Sequence, residues 1–289
     1  MAIYWTKPTE SGLGDRLKDI VLLAAYGKIF GEDVYMTWQR YAGHVKKETR
    51  ALDPSHRYID TILDNVKKHI NFPKNIIIEN EIMGVSGWAN GLDTYRLRSK
   101  FTLFEFGIGG VSGSHGFWHA YLKDKCTFEE YEIKLEEALS EFGFCKEITD
   151  FLNTLPELFI SFHIRRGDKV RAESTDGTYI HSDDLSELNK ITYEAIDYYA
   201  DRYDTFFICS DQDDKKQEFS DYLKSKNKKI LELPLMEKWQ QTYYDIATMT
   251  KSKVNIASNR YSSFSSFAAQ MGKGNFKTVY DFKEKDENQ

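Results

Sequence analysis

Cysteine is scarce in this 289-residue chain. Cys126, Cys145 and Cys209 are too few and too scattered for a disulfide framework or a zinc site. An odd count implies reduced thiols and a reducing compartment. Long apolar runs are also missing. No stretch approaches the roughly 18 consecutive apolar residues of a spanning helix, so no transmembrane segment is expected. No basic and apolar leader precedes the strand-like start of the chain. The expectation is a cytoplasmic protein that either has no anchor or is the catalytic piece of something longer. Excess positive charge is absent too. The formal net charge of -6 argues against a dedicated nucleic-acid binder, so any anion this chain holds is expected to meet a few placed cations.

Aromatic residues, by contrast, are plentiful at 15 %, enough to fill a core and leave some rings as platforms for sugars. Ala2–Trp5 reads as a short strand. A glycine turn, Ser11-Gly12-Leu13-Gly14-Asp15, follows it. Arg16 to Phe30 carries apolar residues at helical spacing and ends at Gly31, and Asp33 to Trp38 reads as a second strand. Strand, helix, strand at this length is a βαβ unit with parallel strands. Phe101 to His119, rich in glycine and aromatics, reads as a loop-rich segment. Thr127 to Phe142 reads as a surface helix. After Leu155-Pro156 the alternation restarts. Strands are expected at 158–164, 205–209, 229–233, 253–257 and 276–280, separated by helices at 185–203, 213–226, 240–251 and 262–272. The boundary falls near 150–157, giving domains 1–155 and 156–289.

The residues that can do chemistry cluster at strand ends. Phe162-His163-Ile164-Arg165-Arg166-Gly167-Asp168-Lys169 follows an apolar strand, and ligands of open α/β sheets bind beyond such carboxyl ends. Two guanidiniums and an ammonium there suit a diphosphate, the arginines through their planar forks. Phe206-Phe207-Ile208-Cys209-Ser210-Asp211 is a second strand ending in a hydroxyl and an acid. Ile256 to Ala269 is a strand, then a serine-rich turn opening a helix. A helix start presents free N–H groups and a positive dipole end, and Ser262 or Ser263 can cap it. His115 and His119 are spaced i, i+4, but the glycines around them argue against a helix. Ser210-Asp211-Gln212-Asp213-Asp214 reads as a strand-end acid and an acidic first helical turn, so no metal is expected.

The first of these segments resembles the H-x-R-R-x-D signature of the α1,2-, α1,6- and protein O-fucosyltransferase superfamily. His163, Arg165, Arg166, Asp168, Lys169 and Glu173 match the spacing of the α1,6 group. Phe206–Asp211 resembles that family's second motif, an apolar strand ending in a Thr/Ser-Asp pair that helps hold the guanosine. Ile256–Ala269 resembles the strand and S-S-F-S-W-W-A-A run of the α1,2 group. Gly12-Leu13-Gly14-Asp15 resembles the G-L-G-N turn that opens the family's N-terminal domain. The resemblance implies a GT-B-like α/β fold, two Rossmann-like domains facing a central cleft. Residues 1–155 would be the acceptor side and 156–289 the nucleotide-sugar domain. It further implies an inverting, metal-independent glycosyltransferase that moves L-fucose from GDP-fucose to a glycan hydroxyl without a cofactor. Arg166 would contact the donor β-phosphate, with Glu173 or Asp168 as base and Glu173 favoured. The donor-binding set is Gly12, Gly14, His163, Arg165, Arg166, Lys169, Ser210, Asp211, Ser262, Ser263 and Ser265. Other readings left open are a GT-B transferase using another nucleotide sugar, a non-catalytic nucleotide-sugar or glycan binder, and a nucleic-acid-binding domain using the basic loop.

Overall fold

The computed structural model describes residues 3–6, 12–39, 59–82, 102–104, 113–165, 185–258 and 262–282. The chain divides into two compact units: residues 1–149 with 238–243, and residues 150–237 with 244–289.

The first unit is built on a four-stranded parallel sheet of β1 (Ile3–Thr6), β2 (Val34–Gln39), β4 (Ile76–Ile82) and β5 (Thr102–Phe104), in the order β4-β2-β1-β5. A minor antiparallel pair joins β3 (Ile70–Asn71) to β6 (Gly143–Phe144). Helix α1 (Leu13–Phe30) connects β1 to β2 and is buried on nearly every side from Leu13 to Gly27. Most of its buried positions are apolar, as a core helix requires, and it takes Arg16 and Asp19 inside with them. It stops at Gly31, whose φ of 65° is left-handed and whose neighbour Glu32 N–H returns to Gly27 O at 2.8 Å. Helix α2 (Leu63–His69) precedes β3. Helix α3 (Gly113–Tyr121) occupies part of the segment expected to be loop. Its glycines cost helix propensity, but Phe117 is buried at 1 % exposure and the Trp118 indole N–H donates to Cys126 O at 3.0 Å. Tertiary packing overrides propensity here. Helix α4 (Phe128–Glu141) opens with a capping box between Thr127 and Glu130. The Lys28–Glu141 ion pair ties it to α1.

The second unit carries β7 (Ile160–Ile164), β8 (Thr205–Ser210), β9 (Lys229–Ile230), β10 (Val254–Ala257) and β11 (Asn275–Thr278), all parallel, in the order β11-β10-β7-β8-β9. Numbered from β7, that is the doubly wound order 5-4-1-2-3. Its helices are α5 (Lys146–Leu152), which enters this unit at Asp150, α6 (Leu185–Ala200), α7 (Asp213–Ser225), α8 (Lys238–Lys251) and α9 (Ser263–Gly272). The first six residues of α8 group with the first unit, where Tyr243 donates to Asp60 O at 2.6 Å and stacks on His69 at 4.4 Å.

Alternation along β7 decides what each face of this sheet does. Ile160, Phe162 and Ile164 pack with Leu188, Ile196, Phe206, Ile208, Phe219 and Leu223 in an apolar core. Burying each such side chain contributes about 1.5–3 kcal/mol. Ser161 and His163 therefore point to the opposite face. On that side α9 is drawn in by Gly272, where an added Cβ would lie 1.8 Å from Thr250 O. Among the described residues no helix is long and apolar enough to cross a membrane.

Candidate functional site

The order of strands in the second unit reverses between β7 and β10. This is the topological switch point, and open α/β sheets bind ligands just outside the carboxyl ends of the strands there. Three of the sequence-derived segments meet at this place. His163, the penultimate residue of β7, is 7 % exposed. Its Nδ1 lies 2.6 Å from Ser265 Oγ and 3.0 Å from Ser262 Oγ, and the two hydroxyls are 2.9 Å apart. Its ring centroid is 5.3 Å from that of Phe264. Ser262 has extended backbone angles and its Oγ accepts the Ser265 N–H at 3.3 Å, which makes it the N-cap of α9. With that N–H capped, the N–H groups of Ser263 and Phe264 remain at the helix start without intrahelical acceptors, at the positive end of the helix dipole.

Arg165 is half-buried and is the first residue beyond β7. Its N–H donates to Ser258 Oγ at 2.9 Å, while Ser258 N–H donates to His163 O at 3.0 Å. Ser210, at the end of β8, donates to Ile164 O at 2.7 Å and accepts the Gln212 N–H at 3.1 Å. Asp211 follows it, half-buried, ahead of α7. His163, Arg165, Ser210, Asp211, Ser262, Ser263 and Ser265 thus all stand at the carboxyl edge of one sheet or at the helix starts beside it. Arg166, Asp168, Lys169 and Glu173 lie outside the described residues. Gly12 and Gly14 belong to the first unit. Gly12 is the exposed N-cap of α1 with φ -67° and ψ 171°, and Gly14 is buried in its first turn, so the helix begins inside the segment read as a glycine turn.

Two residues of this region were not singled out from sequence. Ser258 is one, 1 % exposed at the end of β10. The other is Asp245 on α8. Its Oδ1 is sealed from solvent and has no hydrogen-bond partner among the described residues, although the side chain keeps a partly exposed edge. Burial pushes its carboxyl up to about 6, against the Lys216 charge and a hydrogen bond from the Cys209 thiol. Burial, with Asp245 beside it, holds that thiol well above its ordinary range. His163 and Cys209 are register partners, so they face the same side of the sheet. Asp245 therefore meets that side over β8, one strand from His163. The signal in the sequence was an acid set among Tyr243, Tyr244, Ile246 and Ala247, which are all buried.

The histidine pair takes a different form from the one expected. His115 and His119 lie on α3, both exposed, with ring centroids 6.5 Å apart. Among the described residues no group of three or more His, Cys, Asp or Glu side chains is arranged around a common point.

No family model matches this chain, and no curated protein matches it by sequence. Among solved structures it is similar to a fucosyltransferase NodZ from Bradyrhizobium, at 13 % identity and TM-score 0.51, over 93 % of this chain and 91 % of that one. NodZ alpha-1,6-fucosyltransferase soaked with GDP-fucose gives 13 % identity and TM-score 0.49 over 94 % and 93 %. POFUT1 in complex with GDP-fucose gives 15 % and 0.46 over 96 % and 97 %. At such identities the likeness concerns the fold, which is the GT-B-type α/β architecture.

Proposed function

We propose that this chain is a glycosyltransferase that moves L-fucose from GDP-fucose to a glycan hydroxyl by an inverting, metal-independent displacement. The observation that carries this reading is the meeting, at the switch point of the second sheet, of the chain leading into Arg165-Arg166 with the serine-capped start of α9. Guanidinium groups and helix N–H groups both suit a pyrophosphate bound there.

In the reaction the acceptor oxygen attacks the anomeric carbon as its bond to the GDP β-phosphate oxygen breaks. Negative charge grows on the departing diphosphate. Arg165, Arg166, Lys169 and the α9 N-terminus meet that charge. Glu173 takes the acceptor proton, with Asp168 as the alternative base. Ser262 and Ser265 hold the His163 ring, and Asp211 follows the end of the neighbouring strand β8.

Asp245 suits guanine as the base once its sealed Oδ1 is opened to the ligand. An ionised carboxylate accepts two adjacent donors, and guanine offers N1–H and N2–H side by side, whereas uracil offers a single N3–H. Thermal denaturation with GDP and with UDP tests the donor. GDP at 100 times its dissociation constant is expected to stabilise the protein by about 2.7 kcal/mol, and UDP by far less. Equal stabilisation by UDP would replace the donor with another nucleotide sugar. GDP binding without turnover of GDP-fucose would leave a nucleotide-sugar-binding protein.

A further inference from the structure

The peptide group joining Ile164 to Arg165 is held at both ends by hydroxyls from two different strands. Ser210 Oγ donates to its carbonyl oxygen at 2.7 Å, and Ser258 Oγ accepts its N–H at 2.9 Å. These two groups belong to a single rigid plane. A regular parallel ladder would follow the Ser258 N–H···O His163 bond by passing the Arg165 N–H to the Ser258 carbonyl. Here the Ser258 side chain receives it, and the same hydroxyl lies 3.4 Å from Arg165 O. Ser210 also accepts the Gln212 N–H, so its donor and an acceptor lone pair are both engaged by main chain. Neither serine is spare: each is committed to the root of the segment that carries Arg165, Arg166 and Lys169.

We propose that Ser210 and Ser258 are positioning residues that fix the plane of the Ile164–Arg165 peptide and so set the backbone of Arg165 for the donor diphosphate. This rests on the donor reading given above. Ser210 acts on the nucleotide through the backbone of its neighbour strand, which is a different role from direct contact. The two hydroxyls work as a pair. A plane gripped at one end can still rotate about that contact, whereas grips on opposite edges stop the rotation. Removing either one therefore releases most of the constraint, and removing both adds little.

The test combines amide hydrogen exchange without nucleotide and calorimetric titration with GDP, on S210A, S258A, the double variant and S258T. In S258A the Arg165 amide is expected to exchange about 10-fold faster or more, while Ile160–Phe162 amides keep their protection. GDP binding is expected to weaken about 10-fold in either single variant, since small misplacement of a clamp is costly. The double variant should lose little beyond a single one, and S258T, which keeps the hydroxyl, should restore both readouts. Wild-type exchange at Arg165 in the double variant overturns the proposal. So does faster exchange with undiminished GDP affinity. If the wild-type protein does not bind GDP, the donor assignment falls and the positioning role with it, while the exchange arm still reports whether the two hydroxyls hold the peptide.

Discussion

Both units place a parallel sheet beside a helix that starts near a strand end, yet they treat their cations in opposite ways. In the first, α1 begins at Gly12 with no side-chain cap, and its first turn turns Arg16 inward. Arg16 is 1 % exposed, with its guanidinium 4.8 Å from the Trp38 ring centroid, and Trp38 in turn donates to Thr61 O. In the second, α9 begins at a capped Ser262, and the cation-bearing segment leaves the sheet beside it. One arginine is spent on packing. Arg165 stands at the carboxyl edge of its sheet, where open α/β sheets bind ligands. Topology alone does not make an anion site; polar residues at the carboxyl edge are needed as well, and the second sheet has them at His163, Ser210 and Ser262.

The sharpest way to break this comparison is to remove one arginine from each side. Arg166→Ala is expected to cost at least about 3 kcal/mol of transition-state stabilisation, a loss of roughly 100-fold or more in turnover of GDP-fucose, with an unchanged melting temperature. Arg16→Ala should do the reverse. It empties a buried site and is expected to lower folding stability by roughly 2–4 kcal/mol in urea titration. Near wild-type turnover for Arg166→Ala would remove the catalytic assignment. A stable Arg16→Ala protein would show that the buried cation contributes little.

The contrast is also a guide to what the sequence could show. Alternating strands and helices after Leu155 were legible because their apolar residues keep strict periods, as in β7, whose five residues are all buried. The α3 helix was not legible, because glycine counts locally as a breaker while Phe117 and Trp118 hold the turn through distant partners. His163 and Ser262 could be read as parts of one site because strand ends and helix starts are marked by residue type. Ser258 was hidden, since its role depends on which strands lie next to β7. Asp245 was hidden because the face of α8 that meets Cys209 is fixed only by packing.

Asp245 gives the next test, of intermediate size. Its folded-state carboxyl sits at about 6, above the value of an exposed aspartate. A raised acid holds its proton more tightly in the folded protein, so its contribution to stability is fullest below the unfolded value and is lost as pH rises through about 6. A base that donates two N–H groups requires the ionised carboxylate. GDP affinity is therefore expected to rise as pH increases through the same interval, opposite in direction to the folding effect. In Asp245→Asn both dependences should flatten, and GDP should bind more weakly at pH 7. Titration calorimetry at a series of pH values reads this directly. A wild-type pH profile in the variant would exclude Asp245 from the base site.

The smallest expected effect lies at Gly12, where the two helix starts can be made more alike. An added Cβ meets nothing within 4 Å among the described atoms, and φ -67° suits any residue. Conformation therefore does not demand glycine there. Gly12→Ser would give α1 the kind of side-chain cap that α9 already has, which is expected to stabilise the fold by a few tenths of a kcal/mol. If the backbone at Gly12 comes close to the donor, the same change should weaken GDP-fucose binding several-fold, because a side chain then intervenes. Stability and affinity would move in opposite directions. A gain in melting temperature with undiminished affinity would leave Gly12 as a helix start only, and the donor site would draw its polar groups from the second unit.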